Sequence, residues 1–387
     1  MMGFHGLQNQ VKWRLKMSKA AELAKAGETL TNQPSGRKNL VTNGAMQVAQ
    51  RSTSETGKGG DQGYFTVDRM LYFENGTTDV RFTQSQATDV PTGEGFATSL
   101  KFDCTTADAS LASNNQLVIK HRIEGQDIQQ LKWGTSNAEK VTLCFWIKST
   151  KTGTFIIELS RESRKISQAY TVSSSDTWEK KTLTFDGDTG GSVVTNDSAN
   201  RLEINIYMGV GTDYSSGTLD TAWTGGTNAN RAVGQVNAFD NTSNNILFTG
   251  IQLEIGSQAT NFEHRSFGEE LALCYRYTQR HPSSDSGENF NVIAQGMASS
   301  ATATFHPCRH YVTMRAEPSL TNSGDFRVRY AATAVNTSSA TTLYDDGSNS
   351  DISFLLGTVG SGLTVGHSII LEQGNDVDAH IILDAEL

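Results

Sequence analysis

The chain is 387 residues long, enough for two or three domains, with 36% hydrophobic residues, 36 Gly, only 5 Pro and a formal net charge of -9. An acidic balance without clustered Lys and Arg excludes a general nucleic-acid binder. No apolar run approaches the ~20 residues of a membrane-spanning helix, and the N-terminus lacks the apolar core of a signal peptide. Four widely spaced cysteines, Cys104, Cys144, Cys274 and Cys308, are expected as free thiols of a chain folded in a reducing cytosol.

Residues 1–38 differ in composition from the rest. Ala20, Ala21, Ala24 and Ala26, with Leu23, Lys19, Glu22 and Lys25, are strong helix formers, Ser18 is a candidate N-cap and Gly27 a candidate stop. A helix this short is marginal alone in water. It is therefore expected to pack on a sister copy or a docking partner, with a frayed tail as the alternative reading. Met17 is an alternative first residue. The polar stretch TLTNQPSGR is read as a linker.

From residue 39 to 268 the text becomes alternating. Val141, Leu143, Phe145 and Ile147 share one face of a strand, and Phe155, Ile157 and Leu159, then Leu183 and Phe185, repeat the pattern. Lys151-Thr-Gly153 and Ser173-Ser-Ser-Asp176 separate the runs. GYFTVDRMLYF, TDVRFTQSQ and TSLKFDCTT precede them; RLEINIYMGV and ILFTGIQLEIG follow. Ile123, Ile128 and Leu131 approximate helical spacing, so a short helical turn is expected between Leu117 and Trp133. About nine strands over these 230 residues predict a single jelly-roll β-sandwich. Residues 269–387 open on EELALCYRYTQR, read as a short helix or connector strand. Six candidate strands follow: SSATATFHP, HYVTMRA, DFRVRYAAT, ISFLLG, LTVGHSIILE and AHIILDAEL. The fold class is thus all-β, a jelly roll followed by a smaller C-terminal β domain, with a short N-terminal helix.

Two sets of residues carry candidate chemistry. Sugars lay apolar C–H faces on aromatic rings while Asn, Asp and Arg bond their hydroxyls. Tyr207, Tyr214, Trp223, Trp146 and Trp133 are read as outward or loop aromatics. The long loop between residues 209 and 244 gathers Tyr214, Asp220, Trp223, Asn228, Asn230 and Arg231 as a candidate glycan contact; a loop aromatic folded onto the sandwich edge is the alternative. His306, Cys308 and His310 alternate in FHPCRHY, and on a strand they share a face that suits a transition metal around a threefold axis, or are three unrelated side chains. Glu254, Glu263, Glu269, Glu270 and the pair Asp345-Asp346 are available as glycosidase carboxylates. However, no nucleophile elbow, zinc-protease motif or long β-helix repeat accompanies them, and no cofactor is expected.

The ordered set NLVTNGAMQVAQR, HRIEGQDIQQLKWGT, VTLCFWIKSTKTGT, YTVSSSDTWEKKTLTF, FTGIQLEIGSQATNFEHRSFGEELALCYRYTQ, MRAEPSL and DAEL resembles a family of bacteriophage tail-fibre and virion proteins, from about Met17 onward. The resemblance implies a sandwich similar to the carbohydrate-binding modules of glycan-degrading enzymes and a distal domain that trimerises. It also implies attachment to other virion proteins, here through residues 1–38, and adhesion to a host-surface glycan by a particle assembled in the host cytoplasm. A capsid decoration or head fibre without a receptor is the alternative. The chain departs from the pattern twice. Thr249 and Gly250 stand where the related modules often place an acidic calcium ligand, and His121 stands where the family usually has Gln.

Overall fold

The structure, a computed structural model, describes residues 37–282, 289–330, 333–337, 342–343 and 347–387. The helix expected within residues 1–38 and the Asp345-Asp346 pair lie outside the described residues. Strands β1 (Ser54–Lys58), β2 (Leu71–Asn75), β3 (Arg81–Ala87), β4 (Ser99–Thr106), β5 (Gln116–Glu124), β6 (Val141–Ser149), β7 (Gly153–Arg161), β8 (Arg164–Val172), β9 (Glu179–Phe185), β10 (Asn200–Val210) and β11 (Asn245–Ile255) build two antiparallel sheets. The six-stranded sheet runs β1-β3-β4-β11-β6-β9 and the five-stranded sheet β2-β5-β10-β7-β8. This is the expected jelly-roll-type sandwich, with eleven strands rather than nine.

Alternation places the core. Val141, Leu143, Phe145 and Ile147 of β6 are fully buried, and so are Phe155, Ile157 and Leu159 of β7. They meet Leu202, Ile204, Ile206 and Met208 of β10 and an aromatic seam in which Phe82 lies 4.7 Å from Tyr72 and 5.1 Å from Phe102. Each such side chain contributes roughly 1.5–3 kcal/mol by leaving water. Strand β11 breaks the two-residue period: Ile246 and Phe248 face the core, but so do Ile251 and Leu253, three residues on. The pairing with β6 slips between Thr249 and Gln252, a β-bulge that restores the inward phase. Gly250 occupies the bulge at φ +63°, and a Cβ there would sit 2.5 Å from the Phe96 ring. Past β5 the chain makes two 3-10 turns, Gly125–Asp127 and Gln129–Leu131, where a helical turn was expected.

Helix α1 (Phe267–Tyr275) follows the sandwich. Ser266 and Glu269 form a reciprocal capping box at its start. Strands β12 (Thr278–His281), β13 (Val292–Ala298), β14 (Ala303–Arg309), β15 (Ser319–Ser323), β16 (Phe326–Tyr330), β17 (Thr333–Asn336), β18 (Thr342–Leu343), β19 (Ile352–Thr358), β20 (Ser368–Gln373) and β21 (His380–Asp384) complete the described chain. They form a three-stranded sheet, β12-β21-β15, and a seven-stranded sheet, β17-β16-β20-β13-β14-β19-β18. Val328, Leu355, Ile369, Leu371, Ile381 and Leu383 form a second core. The expected strand in HYVTMRA is absent: residues 310–316 run as irregular, bent chain, with Met314 buried. The stretch EELALCYRYTQR, expected as a short helix or connector strand, supplies most of α1 and then most of β12, whereas β13, β15 and β18 had not been anticipated. All four cysteines are buried free thiols.

Candidate functional site

The loop expected to contact glycan lies over the outer face of the five-stranded sheet, and its polar groups bond to one another and to that sheet. Arg231 makes two bonds to Glu158 of β7, at 2.9 and 2.7 Å, and Glu158 is fully buried. Burial opposes the Arg231 charge, but Glu158 outweighs it and pushes the guanidinium pKa up. Tyr214 is buried under Arg231, and its hydroxyl accepts from Asn75 Nδ2 at 2.9 Å. Asp220 accepts from Asn230 Nδ2 and Thr224 Oγ1, and Asn230 Oδ1 accepts the Thr218 N–H. Trp223 donates its indole N–H to the Asp186 carbonyl at 2.7 Å and packs edge-on against Trp133. Asn228 is the exposed member of the set. The structure therefore brings these six residues into one layer, held largely by internal bonds. Trp133 and Tyr207, read as outward, are fully buried; the Trp133 ring joins the core instead.

The candidate metal ligands do not converge. His306 and Cys308 turn into the C-terminal core, whereas His310 spends both ring nitrogens on the Ser350 carbonyl and Ser353 Oγ, each at 2.8 Å. Among the described residues no trio of His, Cys, Asp or Glu is placed to hold a metal ion. The carboxylates considered for hydrolysis are likewise occupied. Glu254 accepts from Thr260 N and Oγ1 and from Gln252, Glu263 from the Asn39 N–H, Glu269 from Ser266, and Glu270 from Arg265. His121 also has a structural part: its Nε2 accepts the Thr42 N–H, which leaves Nδ1–H facing the Arg69 carbonyl at 3.2 Å. Burial, with Arg69 adding to it, drives that imidazole well below its usual pKa and keeps it neutral.

A different surface is open. The outer face of the six-stranded sheet carries a cleft of about 340 Å³. Its floor is set by strand register. On β6, Trp146 pairs with Lys180 of β9 on one side and with Thr249 on the other; Cys144 pairs with Thr182 and Gln252. The Lys180 ammonium stands 6.0 Å from the Trp146 ring centroid. Because Gly250 has no side chain, the Phe96 ring lies directly over the bulge. Phe96, Phe262 and His264 then pack mutually at 4.9–5.1 Å to make a wall. Gln252 is saturated within the protein, its Oε1 accepting the Glu263 N–H at 2.8 Å and its Nε2 donating to Glu254 at 3.0 Å. Burial pushes the Cys144 thiol up, so the cleft holds a neutral thiol and no thiolate nucleophile. The half-buried Trp146 ring, a rigid aromatic wall and polar groups at the rim are a binding arrangement. Trp146 was visible in the sequence as an outward aromatic; the rest of the cleft comes from distant segments, from Gly93 to His264.

No protein-family model matches the chain, and no curated protein sequence does. Among solved structures, the enzymatically active domain of tailspike protein 4 of bacteriophage CBA120 is similar over 56% of this chain, at 16% identity and a TM-score of 0.30; the match covers 21% of that tailspike chain. TmCBM61 in complex with β-1,4-galactotriose is similar over 57% of this chain and 100% of its own, at 9% identity and a TM-score of 0.27. A putative sugar binding protein from Bacteroides thetaiotaomicron is similar over 57% of this chain and 100% of its own, at 13% identity and a TM-score of 0.29. At these scores the similarities carry no argument about function. The class defined by the chain's own strands is an all-β protein, a jelly-roll-type sandwich followed by a second β unit.

Proposed function

We propose that this chain is a non-catalytic glycan-binding fibre protein of a phage virion, holding host-surface sugar in the cleft floored by Trp146. The observation that carries the reading is that cleft: an accessible indole face between a rigid aromatic wall and polar rim groups. An apolar sugar face stacks on such a ring, and rim groups orient the hydroxyls. The virion assignment rests on the ordered sequence motifs given above. Residues 1–38 dock the fibre to the particle, and the chain assembles as a homotrimer. Three copies present weak sites together, so linked sites gain avidity without any new contact. Binding rather than hydrolysis is favoured because the candidate carboxylates within the described residues are held by structural bonds. The Tyr214–Arg231 loop is the second candidate glycan surface on the same fibre.

The test is binding of the full chain to purified host-surface polysaccharides, with reducing-sugar release measured in parallel. Saturable binding with no sugar released is the expected result. Release of reducing sugar would establish a hydrolase. The alternative, a capsid decoration without a receptor, draws on the internal satisfaction of the 214–231 loop. It predicts no binding to any host polysaccharide and antibody label over the capsid instead of the tail.

A further inference from the structure

The cleft also has a charge asymmetry. Five lysines lie on the strands of the six-stranded sheet. Lys58 pairs with Glu55, Lys101 with Asp103, Lys148 with Asp89 and Asp176, and Lys181 with Glu179. Lys180 has no carboxylate partner among the described residues; its ammonium lies over the Trp146 ring. An ammonium left unpaired beside an open aromatic face is not explained by the sheet's own stability. On the far side of the cleft, beyond β6 and β11, the rim carries the exposed Glu94.

We propose that the cleft selects an acidic sugar, with its pyranose face on Trp146 and its carboxylate on Lys180; this rests on the glycan reading of the same site. A pyranose stacked on an indole carries its C5 substituent at the ring edge. Lys180 is the cross-strand neighbour of Trp146, and its ammonium stands over the indole at 6.0 Å from the ring centroid, within reach of that substituent. In a uronic acid the C5 substituent is a carboxylate, which forms a charge-assisted bond with the ammonium. In the neutral sugar it is a hydroxymethyl group, which gives only an ordinary hydrogen bond. Glu94 reverses the preference at the opposite end: a second carboxylate placed there is repelled, while neutral hydroxyls can donate to it. The site is thus matched to a glycan in which an acidic residue alternates with neutral ones, not to a chain acidic at every residue.

The experiment uses the full chain and immobilised oligosaccharides from acidic bacterial polysaccharides, each printed beside its carboxyl-reduced counterpart. The acidic member of each bound pair is expected to bind about five-fold more tightly at low salt, the scale of a half-shielded ion pair. That ratio should collapse toward one in 0.5 M NaCl and in Lys180→Gln, an exposed position whose change leaves the fold intact. Lys180→Glu should invert it. Trp146→Ala should lose both members of each pair. Equal binding of acidic and reduced forms by the wild type, or a preference that survives Lys180→Gln, overturns the acidic-sugar proposal and leaves glycan binding standing. Absence of binding to every oligosaccharide, acidic or reduced, overturns both.

Discussion

At the scale of single residues, the polar side chains of the sandwich divide into those that hold the fold and those left free. Arg231 belongs to the first group. Its removal leaves the fully buried Glu158 carboxylate without its counter-charge, so Arg231→Ala should destabilise the protein by about 3 kcal/mol. Urea denaturation measures this, and Glu158→Gln in the Arg231→Ala background should recover part of the loss. Gly250 belongs there too. Gly250→Ala combines a left-handed φ with a clash against Phe96, and should cost about 2 kcal/mol while distorting the cleft wall. Sequence alone offered Arg231, Asp220 and Asn230 as hydrogen-bonding types and Tyr214 as an aromatic face. What it lacked was Glu158, a carboxylate 73 positions away that holds the Arg231 guanidinium. Nothing local to a loop says whether its arginine points at solvent or at a buried acid.

At the scale of elements, what could be read from sequence tracked how apolar each strand is. The alternation of β6, β7 and β10 marked their core-facing positions, but Ile156, Glu158 and Tyr207 on the outer face are buried as well, under the 209–244 loop. The three-residue step from Phe248 to Ile251 was the written sign of a bulge, because a regular strand sends side chains three positions apart to opposite faces. Strand β12 could be read only as one of two options, a short helix or a connector strand, for the opposite reason. Thr278, Gln279, Arg280 and His281 are polar, yet all four are buried, and no periodicity marks a strand whose partners supply the apolar contacts. Burying such residues makes the C-terminal sheets sensitive to acid. Burial holds His306 down to about 4, and burial together with the charge on His310 does the same for His281. The unfolded chain takes up these protons near pH 6.5, before the fold does. The stability from these two imidazoles is therefore fully present above pH 6.5 and lost as pH falls toward 4. Thermal midpoints should fall across that window, and His306→Leu should flatten the fall. An equally steep fall in the variant would assign the acid sensitivity to other groups.

At the scale of the whole molecule, charge joins the two β units. Arg69 of the sandwich is buried against Glu386 and over the Tyr277 ring, and Arg51 reaches Asp384 at 2.7 Å. Glu124 at the end of β5 takes two bonds from Arg276 at 2.7 Å and one from the Tyr277 hydroxyl at 2.6 Å. Glu386→Ala leaves Arg69 buried without its carboxylate, so it should cost about 3 kcal/mol and uncouple the units. Calorimetry should then show two transitions where the wild type shows one. The fold class and the order of the two β units were readable from strand patterning. This junction was not, since its charged members lie at positions 51, 69, 124, 276, 384 and 386 and resemble ordinary surface charges. Assembly belongs to the same scale: light scattering should report three chains per particle at micromolar concentration, and a stable monomer would remove the avidity argument.

The measurement that tests the central claim most directly is titration calorimetry of one bound host polysaccharide against the wild type, Trp146→Ala and Trp223→Ala, with circular dichroism confirming the fold of each. Removing an aromatic anchor from the centre of a binding surface typically weakens affinity about thirty-fold. The account predicts that loss for Trp146→Ala and wild-type affinity for Trp223→Ala. Unchanged binding by Trp146→Ala, with the loss falling on Trp223→Ala, would contradict it and return the site to the 214–231 loop.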